Sequence, residues 1–287
     1  MERTRLIVRT TVAADGGVVY AALTREEALT KWFAERAQVR IASGRFSFGG
    51  RYTPHWVAGP YLVINAERNR RIVLGSCLLR DLVITVDLTA GPDGRTALSI
   101  MQWRPPPVGP DDASAMDFWC LSAGNLANFV EGRDVVRHDF AAPAHDLAHA
   151  ETTIRASPRT VFAALVRPVR LEQWIAATAH VQPRVGGAYT FGWGQDDGPM
   201  KIIDIVPGRL LAHDWRDAGH PDSVVRWTLA SAPGGTLVRV DHDLSGRSAE
   251  RHQIGWENFL IDLQRMLETG GDWHRTVWQQ EEPGPSR

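Results

Sequence analysis

The 287 residues carry 32 Lys+Arg against 33 Asp+Glu, a net charge of -1, with 44% hydrophobic and 23% charged residues. That balance lacks the basic excess of a nucleic-acid or anionic-membrane footprint and matches globular rather than disordered chains. No apolar run approaches the roughly 20 residues of a membrane span, and the start MERTRLIVRT is charged where a signal peptide is apolar. Cys77 and Cys120, the two cysteines, are too few for a disulfide framework. A cytoplasmic protein of about two domains is expected, with no nucleic-acid partner and no membrane insertion.

In chain order the first half is repeated in the second. TTVAADGGVVYAALTREEALTKWF (Thr10 to Phe33) lies over TTIRASPRTVFAALVRPVRLEQWI (Thr152 to Ile175) at a constant offset of 142, with ten of 24 positions identical. Chance supplies about one or two matches. GRFSF from Gly44 resembles GAYTF from Gly187, and Trp119 and Trp256 open similar apolar segments. Each copy reads as a strand (Leu6 to Val12; Ala150 to Ala156), then a helix capped by Asp15 or by Ser157 with Pro158. A second helical turn places Trp174 inward in the later copy.

Turn signals at Gly186-Gly187, Gln195 to Pro199, Pro207-Gly208, Gly219 to Pro221 and Pro233-Gly234-Gly235 divide an antiparallel meander of about six strands. A long helix, Ala249 to Glu268, closes the copy before Gly270-Gly271. The expected fold class is α+β, two tandem domains at 1–140 and 148–270 followed by a tail at 271–287. Gly132 to Ala148 reads as a linker, and EEPGPSR at the end as disordered.

The motifs Leu171–Trp174, Gly186-Gly187-Ala188-Tyr189-Thr190-Phe191, Pro207-Gly208-Arg209-Leu210-Leu211, Gly234-Gly235-Thr236 and Gly255-Trp256 resemble a known family. It is the heat-shock-protein-90 ATPase-activator-homologue-like branch of the START-related (SRPBCC, helix-grip) superfamily. The first copy departs from it, with Gly44-Arg45, Asn69-Arg70 and Phe118-Trp119 at the corresponding places. The resemblance implies a curved sheet gripping the last helix, with an apolar cavity between them. Members bind lipids, hormones or polyketides, and some catalyse cyclisation or dehydration, so fold alone does not settle function.

Period-two alternation places Leu211, His213 and Trp215 on one face of a strand, Val225, Trp227 and Leu229 on the next, and Val238, Val240 and His242 on a third. Tyr189, Phe191 and Trp193 align on another. His252, Trp256, Phe259 and Leu263 form a stripe at helical spacing. Ring-rich faces with a few histidines fit a small-molecule pocket, although an aromatic stripe is more often plain core. His242 and Asp204 are the candidates for proton transfer; the first copy has Gln102 and Asn65 there.

No cofactor is called for, since Gly16-Gly17 and Gly49-Gly50 do not match a phosphate loop. No metal is either: His145 and His149 sit four apart in the linker segment. The favoured expectation is binding of a small hydrophobic molecule, best in the second copy. An aromatase/cyclase- or dehydratase-type enzyme is an alternative. A module that docks a protein partner such as a chaperone is another.

Overall fold

The computed structural model describes residues 4–103, 114–143, 145–194 and 197–281. In chain order the elements are β1 (Arg5–Val12), α1 (Gly16–Thr24), α2 (Glu26–Trp32), β2 (Arg36–Arg40), β3 (Arg45–Gly49), β4 (Gly59–Glu67), β5 (Arg71–Ser76), β6 (Val83–Ala90), β7 (Thr96–Trp103) and α3 (Ala115–Val130). There follow β8 (Leu147–Ile154), α4 (Pro158–Val166), α5 (Pro168–Trp174), β9 (His180–Val181), β10 (Tyr189–Thr190), β11 (Ile202–Val206), β12 (Leu210–Trp215), β13 (Ser223–Ala232), β14 (Gly235–Asp243), α6 (Glu250–Thr269) and β15 (Val277–Glu281). All the strand pairings are antiparallel, so the chain is mixed α+β.

The chain divides into two compact units, one built on residues up to 143 together with the C-terminal strand, the other on 144–275. The N-terminal unit is an eight-stranded sheet, β15-β1-β7-β6-β5-β4-β3-β2, with its own core around Val8, Phe46, Tyr61, Leu74, Trp119 and Leu126. The C-terminal unit has a five-stranded sheet, β11-β12-β13-β14-β8. Its β11 edge is joined to the β9–β10 ladder by the Ala188–Lys201 bridge and the Tyr189 N–H to Met200 carbonyl bond, so the expected meander of about six strands runs from β9 to β14.

The repeated sequence motifs mark repeated hydrogen bonds. The indole of Trp32 donates to the Ala22 carbonyl (3.0 Å), and that of Trp174 to the Ala164 carbonyl (3.2 Å). Each satisfies a carbonyl left over in the last turn of the preceding helix. The hydroxyls of Thr96 and Thr236 donate to the carbonyls of Ala14 and Ala156, both at 2.7 Å. Asp15 and Ser157 cap α1 and α4 through their side chains. Gly208 turns β11 into β12 at φ 74°, and Asn69 takes that left-handed conformation in the first copy at φ 62°.

Two segments differ from the sequence reading. The junction after Gly132 is no loose linker: the Asn125 side chain brackets the Val136 backbone, Phe140 N–H donates to the Arg51 carbonyl, and Arg51 pairs with Asp139 at 2.5 Å. The polar side chains of α3 and Arg51 hold this segment on the N-terminal unit. The tail is used as well. Trp273 packs on the C-terminal core, and Trp278 lies in β15, directly opposite Val8 of β1. The expected disorder in EEPGPSR falls mostly on 282–287, outside the described residues.

Candidate functional site

Cross-strand register builds the inner face of the C-terminal sheet in rows. Ile202, His213, Val225, His242 and Ala148 make one row, and Leu211, Trp227, Val240 and Ala150 the next. The small side chains of Ala148 and Ala150 on β8 let α6 approach closely, and α6 lays Trp256, Leu260 and Leu263 into the same core. The strand faces read from alternation are therefore those that turn inward.

The residues expected to line a cavity meet one another instead. Trp256 packs edge-on against Trp227 (5.5 Å between centroids) and Trp215 (5.1 Å), and Phe259 lies 5.9 Å from Trp256. Tyr189 sits 4.9 Å from His213 and 5.3 Å from Phe191. His242 lies 4.8 Å from His252 and 5.5 Å from Trp215. His213, His242 and Val240 are 0% exposed, and Tyr189, Phe191, Trp227 and Trp256 are at 2% or less. A void large enough for water beside these rings would leave them measurable accessible surface. These seven side chains leave no accessible space between them beneath α6, whereas Trp193, His252 and Phe259 at the margin stay half-buried.

The histidines complete that core as polar partners of indoles. His213 Nδ1 lies 2.8 Å from the Asp214 carbonyl, which only accepts, so Nδ1 carries the proton. Its Nε2 then accepts from Trp227 Nε1 at 3.3 Å. His242 has the opposite tautomer: Nδ1 accepts from Trp256 Nε1 (3.2 Å), so Nε2 holds the proton and donates to Ser223 Oγ at 2.7 Å. Burial lowers the pKa of His213 to about 4. Burial first, then repulsion from Arg247 and from His252 and His213 when those rings are protonated, lowers that of His242 to about 2. Both rings stay neutral at ordinary pH.

This geometry decides a further point. Ser223 beside His242 has the look of a nucleophile and its base, but the ring nitrogen facing the hydroxyl is already protonated and cannot take its proton. In the N-terminal unit the equivalent contact is Trp119 Nε1 to Gln102 Oε1 at 2.5 Å, a neutral pair in the same place. Histidine and glutamine here share one role, accepting a buried indole N–H.

The other sequence candidates fall elsewhere. Asp204 pairs across the ladder with Ala212, which pairs with Arg226, so it shares the outer face of an edge strand and points away from the rings. A β-bulge between Ile202 and Asp204 shifts the register there. Tyr189, Phe191 and Trp193 do not form one strand, because β10 ends at Thr190 and Gly192 takes φ 70°. Trp193 instead folds over the cluster, stacked on Phe259 at 5.6 Å, with its indole donating to the Ile175 carbonyl. His149 is on β8 rather than in a linker, its Nδ1 2.6 Å from Asp241.

Two features were not visible in the sequence. Asp217 gathers residues from three segments: its Oδ2 accepts from Arg247 Nη1 at 2.7 Å, with His252 Nε2 at 3.6 Å and His220 Nδ1 at 3.9 Å. Burial pushes the carboxyl pKa up, yet the Arg247 hydrogen bond and the charges of His252, Arg251 and Arg247 outweigh it and hold the group below the ordinary carboxylate value. The second feature is a groove of about 430 Å³ beside Phe191, lined also by Thr190, Asp197, Pro199, Met200, Arg216 and two glycines, a mixed polar and apolar surface. Asp214 shapes one wall by accepting from the Met200 and Lys201 N–H groups, both at 2.8 Å. The volume lies within the range of small-molecule sites. In the N-terminal unit the crevice beside Phe33, Phe118 and His138 is about 10 Å³, room for about one water.

Comparison with known proteins agrees with these motifs. The family model described as activator of Hsp90 ATPase homolog 1-like protein matches residues 155–268. A crystal structure of a Mesorhizobium loti protein is similar at 24% identity over 43% of this chain and 98% of its own, with a TM-score of 0.38. The Aha1 dimer from Colwellia psychrerythraea, a solution structure, is similar at 21% identity over 44% and 98%, with a TM-score of 0.39. DynU16, a protein of the dynemicin biosynthetic locus, aligns at 16% identity over 92% and 98%, with a TM-score of 0.33. None of the curated proteins matches. The match lies within the C-terminal unit, which is similar over residues 155–268 to the activator of Hsp90 ATPase homolog 1-like family.

Proposed function

We propose that the chain is a tandem pair of helix-grip domains whose C-terminal member binds a small, largely apolar molecule. The site is the groove beside Phe191, not the space beneath α6. The observation that carries this reading is the groove itself, about 430 Å³ and lined in part by Phe191, Pro199 and Met200, next to a core that is closed. Phe191, Pro199 and Met200 supply apolar contact through buried surface, and Thr190, Asp197 and Arg216 in the same lining offer polar groups to orient the ligand.

The test is titration of the protein with the fluorescent probe anilinonaphthalene sulfonate. Met200 is half-buried, and truncating it to alanine removes apolar contact worth about 1 kcal/mol, so Met200→Ala weakens probe binding about fivefold. Trp256→Phe, which alters the closed core alone, leaves probe affinity unchanged. Equal affinity of wild type and Met200→Ala, with loss in Trp256→Phe, places the site under α6 and refutes the proposal.

A further inference from the structure

The face of the N-terminal sheet turned away from α3 carries an aliphatic stripe that the core does not use. Leu62 and Ile64 on β4 are 60% and 62% exposed, and Leu78 and Leu79 in the loop after β5 are 68% and 46% exposed. They are neighbours. Leu62 sits opposite Gly75, the Ile64 side chain lies over Gly75, and Leu78 lies over Gly59 at the start of β4. The glycines leave the leucines standing out from the sheet with nothing larger beside them. The loop is built to present them: Ser76 Oγ accepts from the N–H groups of Leu78 (3.2 Å) and Leu79 (3.1 Å), and Cys77 N–H donates to the Pro60 carbonyl.

Charge is arranged around the stripe. Exposed Arg45 is paired directly with Leu62, Arg80 follows Leu79, and Arg70 stands at the β4–β5 turn at the other end, whereas Arg68 there lies toward Tyr20 of α1. The nearby carboxylates are fewer: Glu67 lies 4.0 Å from Arg70, Asp87 is taken by Arg71 at 2.5 Å, and Asp81 ends the loop. The near-zero charge of the whole chain thus hides a locally basic, locally apolar patch. An amphipathic peptide helix docks into a groove, whereas these leucines project from a sheet face and a loop tip. Projecting aliphatic side chains among arginines fit a flat anionic surface, where each element adds attraction.

We infer that this face of the N-terminal unit docks peripherally on an anionic lipid bilayer, Leu78 and Leu79 entering the interface and Arg45, Arg70 and Arg80 meeting the headgroups. The ligand groove belongs to the other unit, so the two readings stand or fall separately.

The test is co-sedimentation of the full-length chain with phosphatidylcholine vesicles and with vesicles in which phosphatidylglycerol replaces about a third of the lipid. The protein pellets with the anionic vesicles at low salt and is released at high salt. Arg80→Glu weakens that partitioning about fivefold or more, the factor matching about 1 kcal/mol per arginine near an anionic surface. The double variant Leu78→Ser/Leu79→Ser loses it while keeping the wild-type circular dichroism, because both side chains lie outside the core. Trp278→Ser, an exposed ring on β15, leaves it unchanged. Failure to pellet with anionic vesicles, equal pelleting with neutral ones, or partitioning insensitive to the leucine variant overturns the inference; capture of a soluble protein without vesicle binding does so too.

Discussion

The two buried histidines of the C-terminal unit tie its stability to pH in a calculable way. His213 and His242 are neutral in the folded protein, with pKa values lowered from 6.5 to about 4 and about 2. In the unfolded chain both take up a proton near the ordinary value, so unfolding is favoured as pH falls. The stability is present above pH 6.5 and is lost progressively toward the folded values. At about pH 5 each histidine has given up about 2 kcal/mol relative to about pH 8, about 4 kcal/mol together. His242→Gln isolates half of this, because a glutamine amide can accept from Trp256 as Gln102 does from Trp119. The assay is urea unfolding followed by tryptophan fluorescence at the two pH values. Asp262, whose carboxyl pKa burial raises to about 7, works in the opposite direction in both proteins, so the readout is the difference. Wild type should lose about 2 kcal/mol more than His242→Gln between the two pH values. Equal losses in both proteins would refute the claim that His242 is held neutral by burial and its indole partner.

Other substitutions follow from single contacts. A Cβ on Gly235 would collide with the Ile154 carbonyl oxygen, so Gly235→Ala forces β8 and β14 apart and lowers stability by about 1–3 kcal/mol in thermal unfolding. Ser157→Ala removes the oxygen that accepts from Thr160 N–H and costs about 1 kcal/mol in the same assay. Because the His242 nitrogen facing Ser223 is protonated, a fluorophosphonate probe should leave Ser223 unlabelled; a mass shift on that residue would reverse the tautomer assignment.

What the sequence made legible was local or periodic. Asp15 and Ser157 announced their helices because capping needs only a side-chain oxygen three residues from a free N–H. His213, Trp227 and Val240 declared their inward face through alternation, since a strand fixes orientation with period two. Alternation does not say whether inward rings enclose a space or fill it. That depends on how close α6 comes, and so on Ala148 and Ala150, which sit far from α6 in the chain. The indole–histidine pairs, the Asp214 clamp on Met200 and Lys201 and the Asp217 cluster each join distant segments and leave no spacing to read. Phe191 was singled out, but as part of a strand; Gly192 ends that strand and makes the ring a groove wall.

The central claim is a closed ring core beside an open groove, and nuclear magnetic resonance tests it most directly. On titrating isotope-labelled protein with anilinonaphthalene sulfonate, the backbone amides of Phe191, Gly192, Met200 and Arg216 should shift. The indole N–H signals of Trp227 and Trp256, bonded to His213 and His242, should hold their positions. Movement of those two indole signals, with the groove amides still, would contradict the account.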